Sequence, residues 1–422
     1  MLVQFTFENF KSFKRETKLS MVASRYYKEN TEGLVKLDKY DLLKYVAILG
    51  PNASGKSKLL EAMQFMSTFV QTSIVPPPQN ITLPSLDPFR LSTESKESSS
   101  IFEMIFIISD VQYRYGFELT KKEIVSEWLF RKVSKETLLF YREGNEYEYS
   151  LSEMKKIKGL IKENMIRKDA LLLSVLAQFN DELANGIVSW FSSLSFLTSN
   201  DDSLIINSLN MLAGGMKQKM LSLMREADFN IVDITSPEKQ SKVTRGFKTV
   251  LSGIKSAYED VASVHNVYDE YLMNIESTKF RFFLDESSGT IKFFGLTAPI
   301  IETLENGSIL IVDELEAGLH PDLVNAIIKL FLSEETNPKN AQIIFNTQDT
   351  TILNSNLFRR DQFYFVEKDR YGESTLSSVA KFKVKSDSNM EKRYLEGRFG
   401  ALPYLKHFGD NLRKELPHEN EK

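Results

Sequence analysis

A loop bearing two glycines, set between an apolar run and a helical pattern, is the feature that most constrains the fold of this chain. Residues 45–49 are apolar and predict a buried strand, and residues 56–69 have the spacing of a helix. Between them, in order, lie Gly50, Pro51, Asn52, Ala53, Ser54, Gly55, Lys56 and Ser57. Two glycines at this spacing before Lys-Ser are typical of a phosphate-binding loop, in which backbone N–H groups surround phosphate oxygens at a helix N-terminus. The sequence therefore predicts an α/β fold with a nucleotide-binding core.

The polar positions around this loop have separate predicted tasks. Lys56 would neutralise charge between the terminal phosphates of ATP, and the Ser57 hydroxyl would complete the coordination of a magnesium ion. Far downstream, residues 309–312 are four aliphatics that predict a second buried strand. Asp313 follows at its carboxyl end, where it would hold the magnesium through a water. Glu314 would polarise the attacking water as a general base, so the two regions together predict a nucleotide hydrolase.

Length and composition bound what else the chain can be. At 422 residues it is too long for one ordinary hydrophobic core, so a second lobe or a large insertion is expected. The absence of cysteine excludes disulfides and thiolate chemistry and suits a reducing cytosol. No apolar run approaches the length of a membrane span, and residues 1–10 alternate like a strand instead of a signal peptide. We therefore expect a cytoplasmic protein that does not itself span a membrane.

The remaining pattern predicts a nucleotide-binding core that is split by inserted material. Residues 1–150 would form the first half of the core with an antiparallel β lobe, 151–278 a mainly helical insertion, and 279–422 the second half of the core. The proline-rich passage 73–100 is predicted to be neither a long helix nor a central strand. Strands are predicted at 101–108, 112–119, 124–131, 136–142, 279–284, 308–312, 342–345 and 362–366, and helices at 289–304 and 321–332.

Further segments carry a resemblance to a known family. They are residues 9–13 (Asn-Phe-Lys-Ser-Phe), 286–290 (Glu-Ser-Ser-Gly-Thr), 313–321 (Asp-Glu-Leu-Glu-Ala-Gly-Leu-His-Pro) and 345–349 (Phe-Asn-Thr-Gln-Asp). With the loop, this set resembles the ABC-type ATPases of the SMC, RecF and OLD (overcoming lysogenization defect) group. The end of the chain, at 361–368 and 394–403, looks like the short bacterial branch of that group. The matches leave residues 72–278 weakly covered.

The resemblance implies an ABC-type core and a mechanism that one subunit cannot complete. Ser287, Ser288 and Gly289 match the signature segment, which in such ATPases contacts the terminal phosphate of nucleotide bound to the opposite subunit. A helix N-terminus with serine hydroxyls is a suitable anion site. Two ATP molecules would then be sandwiched in a homodimer or higher oligomer, with residues 317–321 crossing the two-fold axis.

One departure from the family pattern is Gln348, where these ATPases usually have a histidine that touches the terminal phosphate. Because glutamine cannot become an imidazolium, it gives less charge stabilisation to the transition state. We therefore expect a slow ATPase, with Gln348 acting beside Glu314 and Lys56. The glutamine that usually senses magnesium stays open between Gln64, Gln71, Gln79 and Gln112. The residue from the start of the chain that reaches the nucleotide stays open between Lys11, Lys14 and a neighbour of these.

The layout also suggests a biological role, by family analogy. With only a short segment after residue 367 and no attached nuclease domain, the chain resembles the ATPase half of two-gene bacterial systems against phage. The expected function is a nucleotide-gated sensor or scaffold that controls a separate effector protein such as a nuclease. One alternative is a RecF-like ATPase for DNA repair or DNA ends; its sequence support is the basic segment 155–168, although the net charge of −4 gives no whole-chain attraction for nucleic acid. Another is a scaffold that binds ATP without cleaving it.

Overall fold

The computed structural model describes residues 1–27, 31–75, 86–198, 203–227, 229–235, 260–355, 357–382 and 389–402. Its strands are β1 (Leu2–Glu8), β2 (Thr17–Ser20), β3 (Leu34–Lys36), β4 (Asp41–Leu43), β5 (Tyr45–Leu49), β6 (Ser100–Ile108), β7 (Val111–Leu119), β8 (Ile124–Lys132), β9 (Glu136–Glu143), β10 (Glu146–Tyr149), β11 (Leu194–Thr198), β12 (Asp233–Thr235), β13 (Ala262–Tyr268), β14 (Asn274–Arg281), β15 (Ile309–Asp313), β16 (Gln342–Thr347), β17 (Phe363–Lys368) and β18 (Ser374–Ser378). Its α-helices are α1 (Lys56–Thr72), α2 (Lys155–Lys162), α3 (Leu172–Gln178), α4 (Glu182–Ser192), α5 (Ser203–Met211), α6 (Lys217–Glu226), α7 (Phe282–Asp285), α8 (Ser288–Asn306), α9 (Pro321–Leu332) and α10 (Met390–Leu395).

A six-stranded sheet carries the nucleotide-loop strand at an interior position. Its strand order is β11-β15-β16-β5-β17-β18, and all neighbouring strands are parallel except the last pair. Every residue of β5 is buried: Val46 and Ile48 pack into one hydrophobic core, and Tyr45, Ala47 and Leu49 pack into the core on the opposite face. A strand covered on both faces has to be apolar throughout, which is why this run predicts a parallel strand so clearly.

A seven-stranded antiparallel sheet forms the second layer. Its order is β10-β9-β8-β7-β6-β1-β2. Helix α1, which follows the loop, packs into the same hydrophobic core as this sheet. Phe65 of α1 lies 4.8 Å from Phe102 of β6, and Phe69 lies 5.4 Å from Phe117 of β7, between ring centroids. Aromatic pairs at such distances stabilise packing beyond the area that they bury. The prediction of an α/β fold with a P-loop core and an antiparallel β lobe is confirmed.

Gln342 fastens the two sheets to each other. Its fully buried side chain lies on β16, where its Oε1 accepts from Leu2 N at 2.6 Å. Its Nε2 donates to Leu2 O at 3.1 Å and to Leu43 O at 2.9 Å. The amide therefore satisfies backbone groups of β1 and β4 that would otherwise be buried without partners. Gln342 thus ties the start of β1, in the antiparallel layer, to the site-bearing sheet.

The structure departs from the expected secondary structure in several places. The insertion 151–278 is predicted to be mainly helical, yet Leu194–Thr198 forms β11 and pairs in parallel with β15 at the edge of the core sheet. Strands β12, β13 and most of β14 also lie within this insertion, where they pair with one another. The predicted strand 279–284 is wrong in its second half, because β14 ends at Arg281 and Phe282–Asp285 is a helical turn. The side chain of Phe282 is buried at this point, and its N–H donates to Val261 O at 2.9 Å.

Two expectations are covered only in part. Residues 86–99 of the proline-rich passage contain neither helix nor strand, as expected, while residues 76–85, with Pro76, Pro77, Pro78 and Pro84, lie outside the described residues. Residues 403–422, including Pro403 of the terminal segment, lie outside them as well. Within the described ranges, no helix has both the length and the hydropathy needed to cross a membrane.

Replacing Gln342 with Leu should destabilise the protein strongly. The change keeps the side-chain size but leaves three buried backbone groups without partners, so we expect a loss of about 3 kcal/mol in the free energy of unfolding. Urea unfolding followed by tryptophan fluorescence measures it. The matched control is Gln64→Leu on the exposed face of α1, which should stay within about 0.5 kcal/mol. Equal effects of the two changes would contradict the role of Gln342.

Candidate functional site

The loop between β5 and α1 is shaped as a cradle for an anion. A Cβ at Gly50 would overlap the carbonyl oxygen of Val366, and a Cβ at Gly55, where φ is +117°, would lie 2.5 Å from Ser374 Oγ. Only glycine fits such close approaches and such a dihedral. The buried Ser54 hydroxyl has no hydrogen-bond partner among the described residues, so a ligand oxygen here would satisfy it. These features fit a phosphate group at the N-terminus of α1.

Lys56 is folded back onto the loop. Its Nζ donates to Gly50 O at 2.6 Å and to Pro51 O at 3.2 Å, and its side chain is buried. Burial lowers the pKa of the Lys56 ammonium, while nearby carboxylates, first that of Glu316, oppose this shift. A desolvated ammonium that is held only by neutral carbonyls gains energy when an anionic phosphate replaces them.

Ser57 and Asp313 meet as the sequence predicts. Ser57 Oγ donates to Asp313 Oδ1 at 2.9 Å, although 256 positions separate the two residues. The contact forms because Asp313 ends β15 at the same carboxyl edge where β5 enters the loop. Between these two strands lies β16, and its Asn346 Nδ2 donates to the same Asp313 oxygen. A carboxylate and a hydroxyl side by side fit a magnesium ion that takes its other ligands from phosphate and water.

Glu314 is held in an unusual backbone conformation beside Asp313. Its φ is +55°, a left-handed value that is uncommon for a residue with a side chain. Asn346 Oδ1 accepts from Glu314 N at 2.6 Å, and Lys292 Nζ donates to Glu314 O at 3.1 Å. Gln348 Nε2 donates to the Glu314 carboxylate at 3.1 Å. The structure therefore brings two of the three residues with predicted catalytic roles, Glu314 and Gln348, into direct contact.

A cavity of about 860 Å³ opens over the loop. Its wall includes Asn52, Ala53, Ser54, Gly55, Lys56, Ser57, Glu314 and Gln348. Further wall residues come from the start of the chain, from α1, from the segment after the proline-rich passage and from the end of β17 with the turn that follows it: Lys11, Ser12, Lys58, Asp87, Phe89, Arg90, Leu91, Lys368 and Gly372. Lys11 is thus placed at the cavity, as one of the two alternatives that the sequence leaves open. Its N–H donates to Asp87 O at 2.6 Å, which joins the first turn of the chain to the loop that follows the proline-rich passage.

Ser287, Ser288 and Gly289 lie at the N-terminus of α8, away from this cavity. Ser287 caps the helix by accepting from Thr290 N at 3.1 Å, and both serines are exposed. A Cβ at Gly289 would lie 2.7 Å from Gly318 O, so the helix start packs closely on the loop after β15. In the described chain, Ser287 and Gly289 line a separate cavity of about 520 Å³ with Gly318 and His320. One chain does not bring the predicted signature segment to its own phosphate cradle.

Three residues of the site have no role predicted from the sequence, although two of them, Asn346 and Glu316, lie in segments that carry the family resemblance. Asn346 is fully buried and links Asp313 to the backbone of Glu314; its signal is an amide between Phe345 and Thr347, near the end of a strand that is buried throughout. Lys292 follows the signature by one helical turn, and burial lowers the pKa of its ammonium. Glu316 Oε1 accepts from Gln348 N at 2.6 Å. Nothing in a single sequence shows that these groups converge.

A family model matches residues 46–354, well over half of the chain. Its description is "AAA domain, putative AbiEii toxin, Type IV TA system". The matched range contains the loop, the signature segment and Asp313 to Gln348. A search of curated proteins found no match.

Three solved structures are among those that are similar to the chain. The SMC head domain from Thermotoga maritima has a TM-score of 0.39 at 12% identity and covers 89% of this chain and 98% of its own. The cbiO1 protein from Clostridium perfringens, part of the ABC transporter complex cbiONQ, has a TM-score of 0.34 at 12% identity and covers 95% and 98%. The recombination mediator protein RecF, solved as RecF-ATPrS in the RecFOR pathway, has a TM-score of 0.32 at 13% identity and covers 90% and 98%. At these TM-scores the fold assignment rests on strand order and on the loop geometry.

Removing the Asn346 amide should weaken magnesium binding without removing a group that is predicted to contact the nucleotide. In Asn346→Ala the Asp313 carboxylate and the Glu314 backbone lose their shared partner, so the magnesium concentration for half-maximal nucleotide binding should rise about 10- to 100-fold. Titration of a fluorescent ATP analogue at a series of magnesium concentrations measures this. The control Asn354→Ala removes an exposed amide from a neighbouring 3₁₀-helix and should change nothing. Identical magnesium curves for both variants would contradict the orienting role of Asn346.

Proposed function

This chain belongs to the AAA-domain family whose model it matches, and on that premise we propose that it is an ATPase that binds and slowly cleaves ATP with magnesium. The observation that carries the proposal is the continuous set of hydrogen bonds from Ser57 through Asp313 and Asn346 to Glu314 and Gln348. It joins a phosphate cradle to a carboxylate suited to act on water. A site that only binds nucleotide has no need of the second half of this set.

The residues of the set have complementary tasks. Lys56 and the N–H groups of the loop hold the phosphates, and Ser57 with Asp313 holds magnesium, which would supply positive charge to the phosphate oxygens. Glu314, fixed by its backbone bonds, would accept a proton from the attacking water; such a base contributes on the order of 10²- to 10⁴-fold in rate. Gln348 orients the Glu314 carboxylate and would orient the water.

Two copies of the chain would complete each site. Ser288 is exposed at the start of a 19-residue helix and does not line the cavity over the loop of its own chain, in the part of the chain that the structure describes. An exposed helix N-terminus with two serines is an anion site that needs an anion from outside. The terminal phosphate of ATP in a second copy fits this need, which supports a two-fold homodimer with two shared sites.

We expect slow ATP cleavage because the Gln348 side chain is uncharged. Its amide donates to the Glu314 carboxylate without adding a positive charge, so charge that develops on the terminal phosphate receives less stabilisation than an imidazolium would give. Bound ATP would then persist and hold the dimer closed. Such a protein acts as a nucleotide-gated sensor or scaffold. We propose that it controls a separate effector, such as a nuclease, in bacterial defence against phage; the toxin and TA-system words of the family description support this direction.

Mixing two inactive variants should restore ATP cleavage if the site is shared. Lys56→Ala disables the cradle and Ser288→Arg disables the signature, so each protein alone should release phosphate at background level. A mixed dimer keeps one intact site, and an equal mixture should recover about one quarter of wild-type turnover if the sites act independently. Phosphate release measures it.

Ser134→Arg is the control for placing arginine at an exposed serine and should keep full activity. If the mixture shows no recovery although both variants fold, the shared site is wrong. If Ser288→Arg alone keeps wild-type turnover, the signature role is wrong as well.

Gln348→His should speed the chemical step. An imidazole can carry a proton near the terminal phosphate, so we expect turnover under saturating ATP to rise by about tenfold or more. Single-turnover measurement of phosphate release separates this step from product release. The Gln348→Ala protein is the control, and it should be slower than wild type. An unchanged rate in Gln348→His would show that glutamine is not the cause of slowness.

A further inference from the structure

The β13–β14 hairpin carries three exposed apolar side chains at its tip. The exposed fractions of Tyr271, Leu272 and Met273 are 77%, 80% and 65%, and we refer to these three residues as the apolar knob. Strand β12 pairs with β13 only from Ala262 to Val264, so the outer part of the hairpin is a ribbon of two strands. Contiguous apolar surface of this kind is uncommon on a monomer and marks interaction sites.

The turn that presents the apolar knob is well ordered by hydrogen bonds. Asp269 Oδ1 accepts from Tyr271 N at 2.9 Å and from Met273 N at 2.8 Å. Asp269 N donates to Met273 O at 3.0 Å, and Leu272 N donates to Asp269 O at 3.0 Å. Such a turn loses little conformational entropy when it binds, which favours affinity for a partner.

The charge around the apolar knob is negative. Asp269, Glu270 and Glu276 surround it, and residues 266–278 contain no lysine or arginine. A fitting partner surface is therefore apolar at its centre and basic at its rim.

The same chain exposes a surface with that chemistry around α2. Its exposed lysines are Lys155, Lys156, Lys158 and Lys162, and the neighbouring Ile161, Met165 and Phe179 are 36%, 48% and 43% exposed; we call these seven residues the lysine face. Lys156 Nζ donates to Phe179 O at 2.8 Å, which holds α2 against the end of α3. Ile157 and Leu160 are buried and fix the helix on the core, so the lysines point outward.

We propose that the apolar knob of one copy docks on the lysine face of a second copy. Both surfaces are exposed in the same chain, so neither is satisfied within it. Opposite charge at the rim and apolar side chains at the centre make the two surfaces complementary. Because two different patches meet, the contact is heterologous and extends into a ring or a filament. It needs no nucleotide and would link ATP-bound dimers into a larger assembly.

The root of the hairpin connects this contact to the signature segment. Glu286, directly before Ser287, has its carboxylate 2.7 Å from His265 Nε2, and Ser263 Oγ donates to the same oxygen. The hairpin and the start of α8 are thus held together by partly buried polar contacts. A partner that fixes the apolar knob would also restrict the exposed serines.

The test is sedimentation of the full chain after enzymatic removal of nucleotide, over a range of protein concentrations at low and high ionic strength. Wild type should associate beyond the monomer, and more weakly at high salt. Tyr271→Ser with Leu272→Asp, and separately Lys158→Glu with Lys162→Glu, should each lower the association constant by about tenfold or more. Leu272→Ser and Lys158→Gln are the milder substitutes where a stronger change prevents folding.

Matched controls change the same chemistry elsewhere. Val133→Asp alters an exposed apolar residue, and Lys135→Glu with Lys339→Glu alters two exposed lysines; both should associate like wild type. Glu270→Lys with Glu276→Lys should restore association when mixed with the protein whose lysine face is reversed.

Any of three results would overturn the proposal. Wild type could stay monomeric, or the changes in the apolar knob could weaken association while the charge reversal in the lysine face does not. In the third result, the charge reversal in the lysine face abolishes binding to duplex DNA and leaves self-association unchanged. Binding of a fluorescent ATP analogue to each variant is measured in parallel. None of these changes lies at the cradle. If the two surfaces do not associate, the ATPase proposal still stands. If wild type does not bind the ATP analogue, the ATPase proposal is contradicted and the docking proposal is not.

Discussion

The site depends on one buried amide. Asn346 lies on the strand between the strand that enters the loop and the strand that ends in Asp313. Its Nδ2 and Oδ1 hold, respectively, the Asp313 carboxylate and the Glu314 N–H. With Asp313 thus oriented, the Ser57 hydroxyl can meet it at the helix start. Parallel strands bring these groups to one edge, and the Asn346 amide joins the Asp313 carboxylate to the backbone of Glu314 there.

Much of the frame could be predicted from the sequence because it follows from burial and capping. The strand Tyr45–Leu49 and the helix Pro321–Leu332 have the predicted bounds. In the first, five apolar residues are covered on both faces. In the second, proline takes the first helical position after His320, which caps the helix. Ser57 and Asp313 could be paired in advance because strand ends of a parallel sheet share one edge.

What could not be predicted depends on contacts between distant residues. Leu194–Thr198 contains two polar residues and sits among helical patterns, so only its pairing with β15 makes it a strand. At Phe282 the strand ends because this side chain is buried in the hydrophobic core, and local strand propensity does not indicate that burial. The link from Lys292 to the backbone of Glu314 joins positions 22 apart through the packing of α8.

The separation of the two anion sites gives the protein its proposed logic. In the proposed dimer, a second copy would bring its signature serines to each cradle, and the ATP bound in each cradle would meet the helix start of the other copy. The most direct measurement is the mass of the Glu314→Gln protein by native mass spectrometry, with and without ATP and magnesium. We expect dimers that carry two nucleotides to form only with ATP and magnesium. The same dimers should be absent when the chain carries Ser288→Arg in addition to Glu314→Gln. A Glu314→Gln protein that binds ATP without gaining such dimers would contradict the proposed dimer.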